Sequence, residues 1–547
     1  MNSVNPAVGI DLGTTNTVVA VQTNTMGPEL LSIPQPNLER KILDPSFHIK
    51  SAVFFENSED AVVGAFASRR FDSFVSIKSK IGTRWRMQHP YNPKITLSPA
   101  YISALILKVA YNELVKKYPG WDRSAIITVP ASFNTDQRND TLMAANMAGF
   151  EKVRLLDEPT AAFYYYFDQN RDTMGENGHQ SILVFDFGGG TLDVSIIKAG
   201  IQSNAILIDA IGRSRYNNLG GDDIDLDLAS FVFAFWHKTN AQIFDCLDDN
   251  TKKKIYKFFI QKACLFKEEA EDYLSNNLEL NEFVINETVE TSNGNIQIKI
   301  NKVFSRFQYE EITGRFFSNK EDINIFRPIG QALKVAEELS PGFCKDDIDL
   351  VLYTGGASRM NGVKATLSAF FRPKPCYSIN DEEACNTVAL GAACCRYDEL
   401  NRQREVSMTV RLLEGILTRD DEGHHFVTIV PMTCQPSKDF KKLEYKFKTM
   451  RPLINMKIPL FRGTGPDDHH LSPMQDLELP LKNLVPANTN YNIFYRMTEN
   501  KTIELKAIFE LSEQRQLEVA GEVIMDFDGK SKANIPRLEC EVNRQGV

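Results

Sequence analysis

The chain alternates apolar, strand-like runs with stretches of helical period up to about residue 395. Ala7–Ile10 and Val18–Val21 lie on either side of a turn rich in glycine and threonine, and Ala125–Val129 is an apolar run closed by a proline. Ser98-Pro99 precedes apolar residues at i, i+3, i+4 and i+7, which predicts a helix with a serine N-cap and a proline in its first turn. Strands that alternate with helices predict an α/β architecture.

Beyond about residue 408 the apolar period changes to two. Apolar residues alternate with charged ones around Leu443, Met456 and Ile503, which predicts antiparallel strands with one solvated face. We therefore divide the chain into an α/β domain (residues 1–396), a polar linker (397–407), a β domain (408–527) and a polar tail (528–547). The tail is too short to form several helices, because a helix advances only about 1.5 Å per residue.

Composition narrows the class of protein. The chain has 547 residues, of which 43% are hydrophobic and 24% charged, as in a globular protein. The formal net charge of −9 gives no basic footprint for nucleic acid, and no apolar run approaches the ~20 residues of a membrane span. The N-terminus shows no secretory signal, and the nine cysteines contain no CxxC pair. We therefore expect a cytoplasmic protein with free thiols and no nucleic-acid or membrane partner.

Two segments repeat one pattern of strand, aspartate, glycine-rich turn and strand. They are VGIDLGTTNTVVAV (Val8–Val21) and ILVFDFGGGTLDVSII (Ile182–Ile197), with Asp11 and Asp186 at the same place in each. Either segment alone could be an ordinary β-hairpin. Two matching segments indicate an internal repeat and two similar α/β halves that face one another.

The residue types in these turns suit phosphate and a divalent cation. Gly13, Gly188, Gly189 and Gly190 can bring backbone N–H groups against phosphate oxygens, and Thr14, Thr15 and Thr191 add hydroxyl donors. Asp11 and Asp186 at the strand ends could hold Mg²⁺ through its water ligands. The chain has no GxxxxGK[ST] motif, so it is not a P-loop enzyme. Two further glycine turns, Leu219–Asp223 and Val351–Met360, would supply walls for a nucleoside.

Taken in order, the motifs resemble those of the 70-kDa heat-shock chaperones (DnaK type), within the actin/hexokinase-like ATPase superfamily. The resemblance covers about the first 395 residues, and the β domain fits the family's peptide-binding sandwich more loosely. The motifs are VGIDLGTTN, SIKSKIG (Ser76–Gly82), IITVPASFNTDQR (Ile126–Arg138), LLDEPTAA (Leu155–Ala162), FDFGGGTLDVSI, LGGDDID, TGGASRM and SINDEEA (Ser378–Ala384).

The resemblance implies ATP and Mg²⁺ as cofactors, with K⁺ as a further candidate, and it implies roles for single residues. The catalytic group would be Lys78, Glu158, Thr191 and Asp186, with Asp193 near the γ-phosphate, and Asp11 and Asp186 on the metal side. Pro130, Arg138 and Arg154 would relay the nucleotide state to the β domain. The nucleotide-binding residues would be Gly13, Thr14, Thr15, Asn16, Gly188, Gly189, Gly190, Gly220, Gly221, Asp222, Glu268, Ser275, Gly355, Gly356, Ala357, Arg359 and Glu382.

The chain departs from the family pattern on a predicted helix over Thr251–Ser275. The apolar stripe of this helix is Ile255, Phe259, Ala263, Phe266, Ala270 and Leu274, and its other face carries Glu268, Glu271, Asp272 and Ser275. Basic residues usually stand where Glu271 and Asp272 stand here. Either adenine binding is weaker, by roughly tenfold for a lost cation–π contact, or the register of the match is slipped.

Three more departures concern communication and the β domain. Asp157 stands where an asparagine is usual, and the apolar residues of the linker region SMTVRLLEGIL (Ser407–Leu417) are interrupted by charges. The tail is too short for the family's helical lid, so peptides would exchange quickly. Met456 and Ile458 are candidates for the peptide groove, with ordinary sandwich core as the alternative.

The leading hypothesis is an ATP-dependent chaperone that binds and releases extended apolar segments of client proteins, with J-domain proteins and a nucleotide exchange factor as partners. The alternative is an ATP-binding scaffold or co-chaperone with little turnover. A small-molecule kinase shares the ATPase core, but the appended β domain counts against it.

Overall fold

A computed structural model describes the chain except residues 1–4, 24–26, 38–41, 71, 171–178, 203–204, 215–218, 277–279, 281, 292–293, 320–322, 378–383, 396–405, 410–414, 420–425, 432–433, 450–451, 464–471, 474–476, 501, 513–514, 523–540 and 543–547. The first part forms two lobes, each built on a mixed sheet, and the second part is a β domain.

Lobe I is built from the first strands of the chain and from four helices. Its strands are β1 (Ala7–Leu12), β2 (Asn16–Gln22), β3 (Glu29–Leu30), β4 (Ile33–Asn37), β5 (Ile42–Ser46), β6 (His48–Lys50), β7 (Val53–Phe55), β8 (Asp60–Val63), β9 (Met87–His89), β10 (Asn92–Leu97), β11 (Ser124–Val129) and β12 (Lys152–Asp157). Its helices are α1 (Ala65–Ser68), α2 (Pro99–Lys117), α3 (Thr135–Ala148) and α4 (Glu158–Gln169).

Lobe II follows, and the last helix of this part packs back against lobe I. The strands of lobe II are β13 (His179–Phe187), β14 (Leu192–Gln202), β15 (Ala205–Arg213), β16 (Glu282–Thr291), β17 (Gly294–Val303), β18 (Leu350–Thr354), β19 (Cys376–Tyr377) and β20 (Val406–Thr409). Its helices are α5 (Gly221–Asp245), α6 (Asp249–Ser275), α7 (Arg306–Thr313), α8 (Phe326–Leu339) and α9 (Asn361–Phe370), and α10 (Thr387–Cys394) closes this part.

The two lobe sheets have the same topology. The order in lobe I is β12-β11-β1-β2-β3, and the order in lobe II is β19-β18-β13-β14-β15. In both sheets an antiparallel hairpin, β1–β2 or β13–β14, pairs with parallel strands on its first side. Asp11 lies beside Thr128 in one sheet, and Asp186 beside Thr354 in the other. The two hairpin motifs therefore belong to two sheets with the same arrangement of strands, so the internal repeat extends from the sequence to the fold.

Apolar cores hold each lobe and join the two. One core fills lobe I around α2 and α3, and another fills lobe II beneath α5 and α6. Behind the hairpin turns, α4 and α10 pack against each other between the two sheets, and Phe163 of α4 is fully buried there. The turns of the two hairpins consequently face one another across a cleft.

The β domain contains antiparallel sheets around one apolar core. Its buried residues come from both the short and the long strands, including Phe447, Ile493 and Phe509. The strands are β21 (Gly415–Arg419), β22 (Phe426–Val430), β23 (Lys441–Lys442), β24 (Phe447–Lys448), β25 (Leu453–Ile458), β26 (Phe461–Gly463), β27 (Ser472–Pro473), β28 (Leu477–Val485), β29 (Asn490–Met497), β30 (Ile503–Ser512) and β31 (Arg515–Glu522).

Two segments at the edges of the predicted domains lie on the lobes. Strand β20 pairs in parallel with β15, so the expected domain boundary at residues 407 and 408 falls inside a strand of the lobe II sheet. In the expected polar tail, β32 (Glu541–Val542) pairs in parallel with β8 of lobe I. The rest of the linker before β20, and residues 523–540, lie outside the described residues.

Several local predictions are confirmed. Helix α2 begins with Pro99 after Ser98, whose side chain accepts a hydrogen bond from Tyr101 N. The whole predicted apolar stripe of α6 is buried.

Among the described residues the cysteines are free thiols, and none of the described helices is long and apolar enough to cross a bilayer. Both histidine pairs, His424-His425 and His469-His470, lie outside the described residues.

Candidate functional site

The two hairpin turns meet in the cleft, and glycine makes the approach possible. A Cβ on Gly189 would lie 2.0 Å from Thr15 Oγ1, and one on Gly190 would lie 2.8 Å from Thr14 Cγ2. Gly13 is equally confined, because a Cβ there would lie 2.1 Å from the carbonyl oxygen of Asn16. The structure therefore brings the predicted phosphate-binding residues of both halves together.

A third glycine turn stacks on the second through backbone hydrogen bonds. Gly221 N–H donates to the Gly188 carbonyl at 3.0 Å, and Asp222 N–H donates to the Gly189 carbonyl at 2.7 Å. A Cβ on Gly220 would lie 2.1 Å from the Gly189 oxygen. The turn leads directly into α5, so the N-terminus of that helix, with the positive end of its dipole, lies beside the two hairpin turns.

The fourth glycine turn borders Asp186, the aspartate of the second hairpin. Gly355 has φ +84°, and a Cβ on it would lie 2.6 Å from Asp186 Oδ1. Among the described residues, no atom lies within 4 Å of a Cβ placed on Gly356. Ala357 is buried and Arg359 is exposed on the same turn. Within the described part of the chain, this turn therefore has open space beside Gly356 and the Asp186 carboxylate beside Gly355.

Lys78 and Glu158 form a buried ion pair in the cleft. Lys78 lies on a short 3-10 helix (Ile77–Lys80), and Glu158 is the first residue of α4, immediately after β12. Lys78 Nζ lies 2.7 Å from Glu158 Oε1, and the two side chains are 11% and 6% exposed. Burial alone would lower the pKa of Lys78, but the carboxylates of Glu158, Asp11 and Asp186 outweigh it and raise this pKa.

Aspartates crowd around that pair, and burial raises their pKa values. The pKa of Asp11 rises to about 6 through burial and the nearby Glu158, against the opposing effect of Lys78. Burial and Glu158 also raise the pKa of Asp193 to about 6, although Ser132 Oγ donates to its Oδ1 at 2.7 Å. The pKa of Asp186 is raised further by burial and by these neighbouring carboxylates. The cleft thus holds excess negative charge.

These residues fit a hydrated divalent cation. One lysine cannot balance the carboxylates of Asp11, Glu158, Asp186 and Asp193, and a bound cation would lower their pKa values. Within the described residues, no three such side chains converge closely enough to ligate one ion directly. An ion here would therefore keep its water ligands, as Mg²⁺ prefers.

The proposed relay residues lie on a path away from the cleft. The loop after Pro130 crosses to lobe II, because Ser132 bonds Asp193 and Arg213 Nη1 donates to the Ala131 carbonyl at 2.7 Å. Arg138 donates from Nε to the Phe133 carbonyl at 3.1 Å. Its Nη2 lies 2.7 Å from Asp157 Oδ1, and both side chains are buried. The unusual Asp157 is therefore the ion-pair partner of Arg138.

Arg154 contacts the β domain. Its Nη1 lies 2.5 Å from Glu499 Oε2, and the backbone N–H of Leu155 donates to Asn500 Oδ1 at 3.0 Å. Both partners belong to the turn between β29 and β30. The strand β12 thus connects three features: Arg154 at the domain contact, Asp157 at the buried ion pair, and Glu158 in the cleft.

The acidic face of α6 lies beside the fourth glycine turn. The carboxylate of Glu271 accepts from Tyr309 Oη at 2.8 Å and from Asn361 N at 2.8 Å, and Ser275 Oγ accepts from Asn361 Nδ2 at 3.2 Å. Asn361 begins α9 directly after the turn. Glu268 and Asp272 are exposed on the same helix. Glu271 therefore has a structural role here that a basic side chain could not perform.

Sequence reasoning missed a buried lysine under the third turn. Lys267 Nζ lies 2.8 Å from Asp225 Oδ1 and 2.9 Å from the Gly221 carbonyl. Burial would lower the pKa of Lys267, but Asp225 outweighs it and raises this pKa. Lys267 falls on the stripe side of α6, next to Phe266, so the signal in the sequence was a charged residue at a core position. Ser132 lies in the quoted motif Ile126–Arg138 but was given no role of its own, and Arg213 carried no sequence signal.

Two predicted positions stand apart from this cluster, and a third is not described. Glu382 lies outside the described residues. Met456 and Ile458 are 3% and 4% exposed in the core of the β domain, which is the alternative left open for them. Their role in a peptide groove stays a prediction, since a peptide could reach them only if the strands around them moved.

Comparison with known proteins is consistent with this geometry. The family model described as Hsp70 protein matches residues 65–396. The chain is 33% identical over 392 residues to the chaperone protein DnaK of Thermotoga petrophila, and 33% identical over 390 residues to that of Metamycoplasma hominis. It is 29% identical over 412 residues to the DnaK chaperone protein of Cyanidioschyzon merolae.

These matches cover 71% of this chain, and 58% to 60% of the length of those relatives. The family match contains the second hairpin turn and the Lys78–Glu158 pair, and the paired sheets fit the actin-like ATPase domain that the family implies. On the extent of the family match and the identity to these relatives, the chain belongs to the Hsp70 family.

Proposed function

We propose that the protein hydrolyses Mg-ATP in the cleft between its lobes and uses the nucleotide state to control a peptide-binding β domain. One observation carries the proposal: the buried pair Lys78–Glu158 stands among Asp11, Asp186 and Asp193, beside glycine turns from both lobes. Hydrolysis of a phosphoanhydride by water is mainly a matter of position and charge neutralisation; the turns would supply the position, and Lys78 together with a bound cation the neutralisation.

Each group has a definable task in that reaction. The backbone N–H groups of Gly13 and Gly188–Gly190 would hold phosphate oxygens, and the hydroxyl groups of Thr14, Thr15 and Thr191 would add donors. Lys78, kept charged by its carboxylate neighbours, would stabilise the charge on the terminal phosphate. Glu158, fixed at the start of α4, would orient the attacking water. A magnesium ion held through water by Asp11 and Asp186 would neutralise further phosphate charge.

The contacts between lobes support communication with the β domain. Ser132 bonds Asp193 beside the catalytic group, Arg138 bonds Asp157, and Arg154 bonds Glu499 of the β domain. A nucleotide that changes the charge around Asp193 would disturb the first contact in this series. Coupling along it requires two arrangements of the loop after Pro130, and that requirement can be tested by mutation.

We further propose that the β domain binds extended apolar segments of client proteins. Its long antiparallel strands enclose an apolar core, and its β29–β30 turn contacts lobe I. The relatives from Thermotoga petrophila and Metamycoplasma hominis are named as chaperone proteins, which supports this assignment. J-domain proteins and a nucleotide exchange factor would be its partners.

The test is single-turnover hydrolysis of Mg-ATP by the purified chain, with Lys78→Ala as the variant and Lys80→Ala as the matched control. Lys80 lies on the same short helix, but its side chain is exposed. We expect slow release of inorganic phosphate by the wild-type protein and by Lys80→Ala, and a loss of about 10²-fold or more in Lys78→Ala. ATP that binds to the wild-type protein and stays intact would contradict the proposal.

A second function, an ATP-binding scaffold with little turnover, is favoured by one observation. The carboxylate of Glu271 lies beside the fourth glycine turn, the proposed nucleoside wall, where it is held by Tyr309 and Asn361, and Asp272 is exposed on the same helix. Two acids there would weaken contact with an adenine ring relative to a basic pair. Stable ATP binding without phosphate release would support this function. Phosphorylation of a sugar or polyol would instead indicate a kinase.

A further inference from the structure

Strand β8 of lobe I is apolar on both faces. Ala61 and Val63 are 2% and 0% exposed in the core of lobe I. Val62, on the opposite face, is 7% exposed and packs in a smaller cluster with Phe54 and Ala67. Such a strand needs partners at both of its edges, because an open apolar edge invites pairing with other chains.

One edge of β8 is covered by its neighbour in sequence, and the other by a segment about 480 residues further along. On the first side β7 pairs antiparallel, with Phe55 opposite Ala61. On the second side β32 pairs in parallel, with Glu541 opposite Asp60 and Val542 opposite Ala61. The resulting sheet has the order β32-β8-β7, and β32 also lies against α2.

We propose that β32 is an intramolecular clasp, which docks by strand addition on the free edge of β8 and fastens the far end of the β domain to lobe I. The ligand of this edge is an extended segment of this same chain. Strand addition supplies main-chain hydrogen bonds to a preformed edge, and the register here follows that pattern. The clasp does not depend on ATP hydrolysis.

The chain length between the two elements allows the clasp to form. Strand β31 ends at Glu522 and β32 begins at Glu541, so 18 residues separate them. At about 3.3 Å per residue they could span up to about 60 Å. A two-residue ladder provides only one or two hydrogen bonds, so docking is reversible. The tether raises the effective concentration of the strand to roughly millimolar, which favours its docking over that of a free peptide.

The clasp adds a second attachment of the β domain to lobe I. Strand β20 comes just before the β domain in the chain, and it pairs with β15 of lobe II. The β29–β30 turn contacts β12 through Glu499 and Asn500. With β32 on β8, the β domain is held to lobe II on its N-terminal side and to lobe I on its C-terminal side.

Hydrogen exchange measured by mass spectrometry tests the clasp directly. The full-length chain is compared with a form that lacks residues 541–547, and the fragments read out are those that cover Asp60–Val63. We expect the deletion to speed exchange in these fragments about tenfold, roughly the value of one hydrogen bond, and to leave α3 and α5 unchanged. A synthetic peptide of residues 535–547 with Cys540→Ser, supplied at millimolar concentration, should restore protection.

Two point variants separate the clasp from a general effect of the tail. Val542→Pro alters the residue opposite Ala61 and should reproduce the deletion, since proline disrupts a strand ladder. Gln545→Pro lies beyond the ladder and should behave as the wild-type chain. Unchanged exchange at Asp60–Val63 after deletion would overturn the proposal. Faster exchange across the whole of lobe I, or a peptide that restores nothing, would also overturn it.

Discussion

The buried ion pair between Arg138 and Asp157 gives the sharpest test of how lobe I is built. The Arg138 and Asp157 side chains are 3% and 9% exposed, and Nη2 lies 2.7 Å from Oδ1. Asp157→Ala would leave a buried guanidinium without this carboxylate, which costs about 3–5 kcal/mol. Asp157→Asn keeps an acceptor oxygen and loses only the charge, so we expect a cost of about 1–2 kcal/mol.

Urea unfolding followed by tryptophan fluorescence measures this cost in the intact chain. The three tryptophans, Trp85, Trp121 and Trp236, all lie in the lobes, so the signal reports on the two lobes and not on the β domain. With a slope of about 2–3 kcal/mol per molar urea, Asp157→Ala should lower the midpoint by roughly 1.5 M and Asp157→Asn by less than about 1 M.

A surface pair on the same lobe provides the matched control. Glu151 pairs with Arg123, and their side chains are 59% and 49% exposed. Because exposed pairs contribute about 0–1 kcal/mol, Glu151→Ala should shift the midpoint only slightly. If Asp157→Ala shifts the midpoint no more than Glu151→Ala does, then the pair does not hold lobe I together, and its proposed part in the relay fails with it.

Three further outcomes are expected. Glu271→Lys should lower the free energy of unfolding of lobe II by about 1–3 kcal/mol, because a lysine side chain cannot accept the hydrogen bonds from Tyr309 and Asn361. Glu271→Gln keeps an acceptor oxygen and should cost less. Equal losses for the two variants in thermal unfolding would contradict this. Burial raises the pKa of Asp140 from 3.8 to about 6, so the folded state holds its proton more tightly and this carboxyl lowers the free energy of unfolding as pH rises from about 4 to 6. We therefore compare the free energy of unfolding of Asp140→Asn with that of the wild type, by urea unfolding at two pH values. The difference should shift in favour of the variant by up to about 3 kcal/mol between pH 4 and pH 7.5. A difference that does not change with pH would refute this reasoning. A double-mutant cycle of Arg154→Ala and Glu499→Ala is read from the hydrogen-exchange protection of the Leu155 amide. The two substitutions should show a coupling free energy of about 0.2–1 kcal/mol. Additive effects would show that the pair does not hold the β domain.

Local patterns predicted the elements and the turns of the candidate site. The glycine-rich hairpins needed no distant partner to be recognised, since glycine and aspartate at fixed places in two strands are a signal within about 15 residues. The apolar stripe of α6 could also be predicted from the sequence, because a helical period of apolar residues already indicates which face is buried. The resemblance of the motifs to one family then placed Lys78 and Glu158 together, which the structure also does.

Pairings between distant segments could not be predicted in the same way. Nothing in the sequence near Asp157 indicates that Arg138 lies beside it, or that Lys267 leaves the apolar side of α6 to bond Asp225. Strand β32 has two residues, too few for any period, and its partner β8 lies in the first lobe. At Met456 and Ile458 the alternation indicated a face of the strand, but not whether that face meets a core or a ligand.

Under the proposed function, these long-range contacts would carry the influence of the cleft on the β domain. Strand β12 carries Arg154 and Asp157 and leads into Glu158, and at about 3.3 Å per residue those three groups span only about 13 Å. Movement of Glu158 around a nucleotide would therefore reach the β29–β30 turn through one rigid strand. Strand β20 responds to lobe II instead, through β15. The β29–β30 turn is thus attached to lobe I and β20 to lobe II, so under the proposed function a rotation of one lobe against the other would strain these attachments relative to each other.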